Sequence, residues 1–311
     1  MKKVSSESVP LESHRKTESC PQCGSPSALF RSSTDLNRKT TREVFHYYRC
    51  LTCGLIFMAN IPADMASYYR HGYQRVPRSV ADLRKLAARE KFRLSELLNL
   101  KARGKLLEIG PWIGLFSINA KDAGFEVDVI ENDDACVNFL GNTVGIKVFR
   151  SNNPTAILAN MIEQYDVIVL WHSLEHLPTP WLLVANASKA LKPDGVLLIA
   201  IPNIDSYDSR VMREKWVHLD APRHLYFYPP DALSALCLQF GLLPVHVSTS
   251  DRLSLTLSLI AWYHYLRRCL PFLYVLGLAG MVKGRLVWWK AQSAQSKEKL
   301  GSGLTAIFRK G

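Results

Sequence analysis

No apolar run in this chain reaches the ~20 residues that a helix needs to cross a bilayer. The two longest, 253–266 and 269–282, are fourteen residues each and flank Arg267 and Arg268. Two charges in that position make one continuous span costly. The start, MKKVSSESVPLESHRKTES, lacks the apolar core of a secretory signal, so residues 1–18 read as a frayed polar arm. Two nucleotide-binding signatures are also missing: the G-x-G-x-x-G fingerprint and the GK[ST] phosphate loop. A disulfide framework is absent too. Of seven cysteines, four form two CxxC units, while Cys136, Cys237 and Cys269 are scattered. That usage suits a reducing compartment, and a cytoplasmic location is the expectation. Acid is scarce in the tail. From Arg252 onward ten lysines and arginines face one acid, Glu298.

What is present is a 311-residue chain, 48% apolar, long enough for one large α/β domain with a small appendage. Its formal charge is +12 and its pI about 9.4, which favours an anionic partner. Most of that excess lies in the tail.

Cys20-Pro-Gln-Cys23-Gly and Cys50-Leu-Thr-Cys53-Gly are matching knuckles. A tight turn points both sulfurs of each pair at one centre, and four thiolates give tetrahedral zinc. With the strand-like TTREVFHYYRC between them, residues 19–60 read as a zinc ribbon. A closed four-cysteine site leaves no position for water, so its metal is structural. Metal binding supplies about 10–16 kcal/mol to the folding of such modules.

From about residue 80 strands and helices alternate. SVADLRKLAAREKFRLSELLNL has helical spacing, then LLEI, FEVDVIEN, IKVFR, YDVIVLW and GVLLIAIPN read as strands. Between them LFSINAKDAG, DACVNFLGN, TAILANMIEQ and WLLVANASKAL read as helices. This is a parallel sheet covered on both faces, which binds ligands at the carboxyl ends of its strands. Gly110 and Gly114 allow close backbone approach after the first of these strands. Glu131, ending the second, can accept ribose hydroxyls.

These residues resemble class I S-adenosylmethionine-dependent methyltransferases. Glu108-x-Gly110-x-x-x-Gly114, Glu131, Asp166, LEHL and LKPDGVLLIAIPN carry the resemblance over roughly 80–250, and it returns in the final strand. The resemblance implies a Rossmann-like seven-stranded α/β sheet and S-adenosylmethionine as cofactor. It implies that Gly110–Gly114 hold the methionine end with Glu108 orienting it, and that Glu131 holds the ribose. Asn132 then lines the adenine pocket, with Asn152 or Asn153 at its edge. Trp171 and His172 border the transferred methyl. Trp112 stands where the family commonly has glycine. The domain bounds expected are a methyltransferase domain at 61–252, a helical insertion at 253–300, and the last strand at 301–311.

His172-Ser-Leu-Glu175-His176 also spells H-x-x-E-H, a zinc-peptidase pattern when it lies on a helix. Here His172 ends a strand and Leu177-Pro-Thr-Pro stops any helix after it, so the peptidase reading fails. Glu175 and His176 are expected to bind the turn together and line the pocket. Further on, Trp216, His218, Asp220, Pro222, Arg223 and His224 cluster in an irregular stretch that suits a lid. The W…APRHLYFY pattern resembles a subgroup acting on sugars or small natural products. A hydroxyl acceptor needs a base, and His224 is the first candidate with His172 second. Tyr68, Tyr69 and Tyr73 cover the site or pack ribbon against domain.

The insertion, with its two apolar runs, Trp288, Trp289 and basic neighbours, reads as a helical hairpin. It is expected to lie on an anionic membrane, through 253–290, or against a second copy in a homodimer, with burial in the core as the third alternative. The function expected is methyl transfer to a sugar, lipid-linked or other small acceptor, peripheral to the inner membrane face. An RNA methyltransferase with the ribbon as reader, and a non-catalytic scaffold, are the alternatives.

Overall fold

The structure is a computed structural model, and it describes residues 17–69, 76–99, 104–250, 252–269 and 300–311. The arm before residue 17, Tyr73, and the second apolar run with Trp288 and Trp289 lie outside the described residues.

The first sheet holds β1 (Glu18–Ser19), β2 (Pro26–Ser33), β3 (Phe45–Cys50) and β4 (Ile56–Met58). Two helices follow, α1 (Val80–Ala87) and α2 (Lys91–Leu98), where the sequence showed one stretch of helical spacing. Ser79 caps the first, accepting from Asp82 N–H. The large domain then runs β5 (Lys105–Ile109), α3 (Leu115–Asp122), β6 (Glu126–Glu131), α4 (Asp134–Asn138), β7 (Lys147–Arg150), α5 (Pro154–Ala159), β8 (Tyr165–Trp171), α6 (Pro180–Ala190) and β9 (Leu191–Pro202). It closes with α7 (Tyr207–Met212), β10 (Tyr226–Phe227), α8 (Pro230–Leu238), β11 (Leu242–Ser248), α9 (Arg252–Cys269) and β12 (Gly303–Lys310).

The second sheet has the order β11-β12-β9-β8-β5-β6-β7. The strands from β5 to β9 pair in parallel, while β12 is antiparallel to both β9 and β11. This is the mixed seven-stranded sheet expected. The chain moves outward from β5 to β7, then crosses back to β8 on the other side of β5. Ligand crevices open at such a reversal, beyond the carboxyl ends of the strands.

The central strands are buried on both faces, which is why YDVIVLW is apolar almost without a break. Val167, Val169 and Trp171 face α1, α2 and α3; Ile168 and Leu170 face α6, α8 and the first sheet. Each such side chain contributes about 1.5–3 kcal/mol on burial.

The ribbon does not close on itself. Tyr226 and Phe227 of β10 pair with Phe57 and Ile56 of β4, so the first sheet takes its last strand from the lid. Phe45, Tyr47 and Ile56 share one core with Trp216, Phe227 and Leu233.

The first arm of the insertion is α9. It buries Leu253, Ser254, Ser258, Ala261 and Trp262, and the Trp262 indole donates to Asp208 at 2.6 Å. Leu255, Leu259, Ile260 and Tyr263 stay exposed on the other side. Among the described residues no helix is long and apolar enough to cross a membrane.

Candidate functional site

The turn after β5 and the loop after β8 touch. Gly110 and Gly114 take φ +71° and +82°. A Cβ on Gly110 would lie 2.9 Å from Ser173 Cβ, and one on Gly114 would lie 2.5 Å from Leu140 Cδ2. Glycine is therefore required by space as well as by backbone. Trp112, between them, takes φ +57° with a bulky side chain. That region costs a non-glycine residue about 1–2 kcal/mol. The backbone takes a conformation that glycine adopts freely although the residue is tryptophan, and the indole stays half exposed.

Glu131 holds this turn. Its Oε2 accepts Trp112 N–H at 3.1 Å, and its Oε1 accepts Asn132 N–H at 2.8 Å and Asp133 N–H at 3.0 Å. One lone pair of Oε2 remains beyond these three bonds. Burial pushes its carboxyl up against those donors. The Asn132 side chain is exposed beside it. Glu108 is buried in β5 and accepts from the Ser117 hydroxyl on α3. Burial lifts its carboxyl to about 7, opposed by Ser117 and by the charge of Arg93.

At the end of β8, Trp171 packs against Phe116, 5.6 Å between ring centroids, with the Arg93 guanidinium 5.1 Å above it. His172 takes φ +54°, a strained conformation. Its Nδ1 is 3.5 Å from Glu175 Oε1. Trp171 Nε1, His172 Nε2, Ser173 Oγ and both Glu175 oxygens are buried with no hydrogen-bond partner among the described residues. Orphaned buried polar atoms are rare, and a group of them at a strand end faces something polar. Burial raises the Glu175 carboxyl, but contact with His172 and the nearby rings of His176 and His224 outweigh it and hold it at about 2.

Glu175 and His176 sit in a single 3₁₀ turn, Leu174–His176, so no helix carries the H-x-x-E-H string. His176 Nδ1 donates to Arg223 O at 3.0 Å and lies 3.1 Å from Tyr69 Oη. Burial pushes its imidazole down to about 4. His224 donates from Nδ1 to His218 O at 2.8 Å. The His176 and His224 rings are 4.6 Å apart, and ligand atoms of Glu175, His176 and His224 lie within 4.8 Å of one another. The lid, strand end and LEH turn thus converge.

The ribbon positions the lid. Arg223, buried, binds Asp35 at 2.7 Å and Asp220 at 2.8 Å. Tyr47 donates to His224 O at 2.9 Å. Sequence reasoning missed Asp35 and Tyr47, because nothing local marks a residue whose partner is far along the chain.

Other residues singled out fall elsewhere. Asn153 caps α5, accepting from Ala156 N–H at 3.1 Å. Asp166 binds Lys105 N–H and Lys192 Nζ, both at 2.8 Å, at the start of β8 and away from the crevice. Tyr68 packs on Phe45.

In the ribbon, the sulfurs of Cys20 and Cys53 are 3.7 Å apart, and those of Cys23 and Cys50 3.5 Å. All four lie within 4.8 Å of one another. Gly24 and Gly54 take φ +74° and +76°, turning the chain back after each knuckle. Thr52 and Cys53 N–H both point at the Cys50 sulfur at 3.4 Å.

Residues 75–247 match a family described as methyltransferase domain. The ubiquinone biosynthesis O-methyltransferase of Cereibacter sphaeroides is 25% identical over 167 residues, 51% of this chain and 66% of that protein. That of Ruegeria pomeroyi is 28% identical over 167 residues, 51% of this chain and 65% of that protein. The match spans just under two thirds of these relatives' own length. A SAM dependent methyltransferase from Archaeoglobus fulgidus, solved as a crystal structure, is similar with a TM-score of 0.50 and 17% identity, covering 73% of this chain and 94% of that one. That likeness is one of fold.

Proposed function

The chain belongs to the methyltransferase-domain family, and from that premise we propose that it transfers a methyl from S-adenosylmethionine to a small-molecule acceptor, with a structural zinc in its ribbon. The observation that carries this reading is the group of orphaned buried polar atoms on 171–175, facing the Gly110 turn where the strand order reverses.

The residues present fit the cofactor. Gly110–Gly114 leave room for its methionine end, and buried Glu108 suits its ammonium. The remaining lone pair of Glu131 suits a ribose hydroxyl, and exposed Asn132 adjoins the adenine side. Trp171 and His172 flank the position of the sulfonium. When bound, S-adenosylmethionine supplies an electrophilic methyl and its own leaving group.

What this chain adds is alignment and proton management. Positioning two reactants is worth about 7–11 kcal/mol. His224 is the first candidate to take the proton of a hydroxyl acceptor. His172, whose Nδ1 lies 3.5 Å from Glu175 Oε1, is the second candidate. Lid and Tyr69 exclude water from this side. The relatives' names, O-methyltransferases, support oxygen as the methylated atom.

Zinc is supported by sulfur spacing. A Zn–S length of about 2.3 Å in a tetrahedron places sulfurs about 3.8 Å apart, close to the distances found between Cys20 and Cys53 and between Cys23 and Cys50. The exposed apolar side of α9, Leu255, Leu259, Ile260 and Tyr263, supports a peripheral membrane surface.

Isothermal titration with S-adenosylmethionine, followed by a labelled-methyl assay on fractionated cell extract, tests the reading. Saturable binding and label in a small-molecule fraction are expected. Absence of binding would leave the fold without its chemistry. His224→Gln should cut turnover about 10²–10⁴-fold while cofactor affinity holds.

A further inference from the structure

Glu175 is buried, and neither of its carboxylate oxygens has a hydrogen-bond partner among the described residues. His172 Nδ1 stands 3.5 Å from Oε1, at the outer limit of a hydrogen bond. The lid's buried guanidinium, Arg223, is taken up by Asp35 and Asp220. Buried carboxylates are as a rule paired or coordinate a metal, so this one lacks the neighbour its burial calls for.

Two imidazoles stand beside it. One ligand atom each of Glu175, His176 and His224 lies within 4.8 Å of the other two, and the two rings are 4.6 Å apart between centroids, at 79° to each other. Both rings are anchored in the same way. His176 Nδ1 donates to Arg223 O at 3.0 Å, and His224 Nδ1 donates to His218 O at 2.8 Å. Metal-binding histidines are typically held like this: one ring N–H goes to a carbonyl, which sets the ring and turns the other nitrogen to the ion. Two imidazoles and one carboxylate are a zinc-type donor set, and three protein ligands leave a coordination position open. The cysteine set of the ribbon is closed by contrast. His224 also lines an open cavity of about 600 Å³ between ribbon, lid and α9, which gives an ion and an acceptor a way in.

We infer that Glu175, His176 and His224 form a second metal centre, separate from the cysteine set, which holds a divalent transition-metal cation of the zinc type with a position open to the acceptor. The site itself stands on these residues alone; its role rests on the methyl-transfer reading. A hydroxyl that coordinates such an ion becomes more acidic. Its proton passes to His172, whose Nε2 is buried without a partner among the described residues. The acceptor oxygen then bonds to the methyl, and S-adenosylhomocysteine leaves. With the ion in place His224 is a ligand, and His172 takes over as base.

The test is titration of the full-length protein, its ribbon already loaded with zinc, with cobalt(II) and separately with further zinc. Cobalt is followed by its visible absorption, zinc by metal analysis after dialysis. One saturable site per chain is expected, and bound cobalt should lack the sulfur-to-metal band that a thiolate site gives. Glu175→Gln and His224→Gln should each weaken binding at least tenfold. Arg84→Gln, a change to a residue paired with Asp122 away from the site, should leave it unaltered. Ribbon zinc and circular dichroism report whether each variant folds; if Glu175→Gln does not, His176→Gln reads the same centre. The inference is overturned if neither ion saturates a second site, if bound cobalt shows the sulfur band, or if the folded variants bind like the unchanged protein. Failure of S-adenosylhomocysteine to bind while cobalt still does would instead strike the methyl-transfer reading and leave the metal centre standing.

Discussion

Arg223 and Asp35 stand 188 positions apart and form a buried ion pair with 2.7 Å between Nη2 and Oδ1. That contact fastens the lid to the ribbon, and Arg223 is next in the chain to the candidate base. The fastening is doubled by β10, which lies in the ribbon sheet, and by Tyr47, which holds the His224 carbonyl. Ribbon, lid and site are mechanically one unit.

Breaking that pair should be costly. Arg223→Met leaves Asp35 and Asp220 without their cation, and removing one partner of a buried pair costs about 3–5 kcal/mol. Urea unfolding monitored by tryptophan fluorescence should show the loss, and Asp35→Asn should show a smaller one. Burial works against ionisation of Asp35, and Arg223 with Thr40 outweighs it, holding the carboxyl well below the usual range. The pair's contribution is therefore present above the ordinary carboxylate value and is lost only as pH falls far below it.

Metal removal should be felt at the lid. Purified protein should carry one zinc per chain, and Cys50→Ser should lose it with much of its solubility. Chelation should speed hydrogen exchange at 219–228 as well as in the ribbon, because β4 and β10 share backbone bonds. Exchange confined to the ribbon would show the two to be uncoupled.

Cofactor affinity should depend on pH through Glu108. Its carboxyl is raised to about 7. A raised carboxyl favours the folded apo state fully below its ordinary value, and that favour is lost as pH rises through 7. A ligand ammonium prefers the ionised form. Affinity for S-adenosylmethionine should thus fall as pH drops below 7, approaching about tenfold per unit, and Glu108→Gln should flatten the profile. Titration calorimetry from pH 5.5 to 8.5 measures both.

Glu131→Ala removes the acceptor of three backbone N–H groups and of the ribose contact together. Hydrogen bonds to charged groups are worth about 1.5–3 kcal/mol each, so cofactor affinity should fall at least tenfold. Unchanged binding would reassign the acidic end of β6 to holding the Trp112 turn alone.

The exposed side of α9 gives a last test. Leu255→Ser, Leu259→Ser and Tyr263→Ser together should weaken binding to anionic vesicles in sedimentation, and salt should weaken it further. The packed side, Ser258, Ala261 and Trp262, is untouched, so the fold should persist. If vesicles are ignored and the triple variant turns a dimer into a monomer, that face is an oligomer contact.

The sheet was legible along the chain because its information is local and periodic. YDVIVLW can be little other than a strand buried on both faces, and GLTAIFRK coincides with β12. The two knuckles were legible too, since CxxCG fixes its own turn. What could not be read was pairing at a distance. Glu175 sits in its turn as expected, but its burial beside His172 could not be read, nor could the cap that Asn153 gives α5. Asp35 and Tyr47 carried no local signal. Period and turn chemistry are properties of neighbours in sequence, and they determined the layers, the strand-end turns and the cysteine set. Which side chains face each other across the switch point and where the lid rests depend on contacts between segments up to more than two hundred residues apart, and only the tertiary structure decided them.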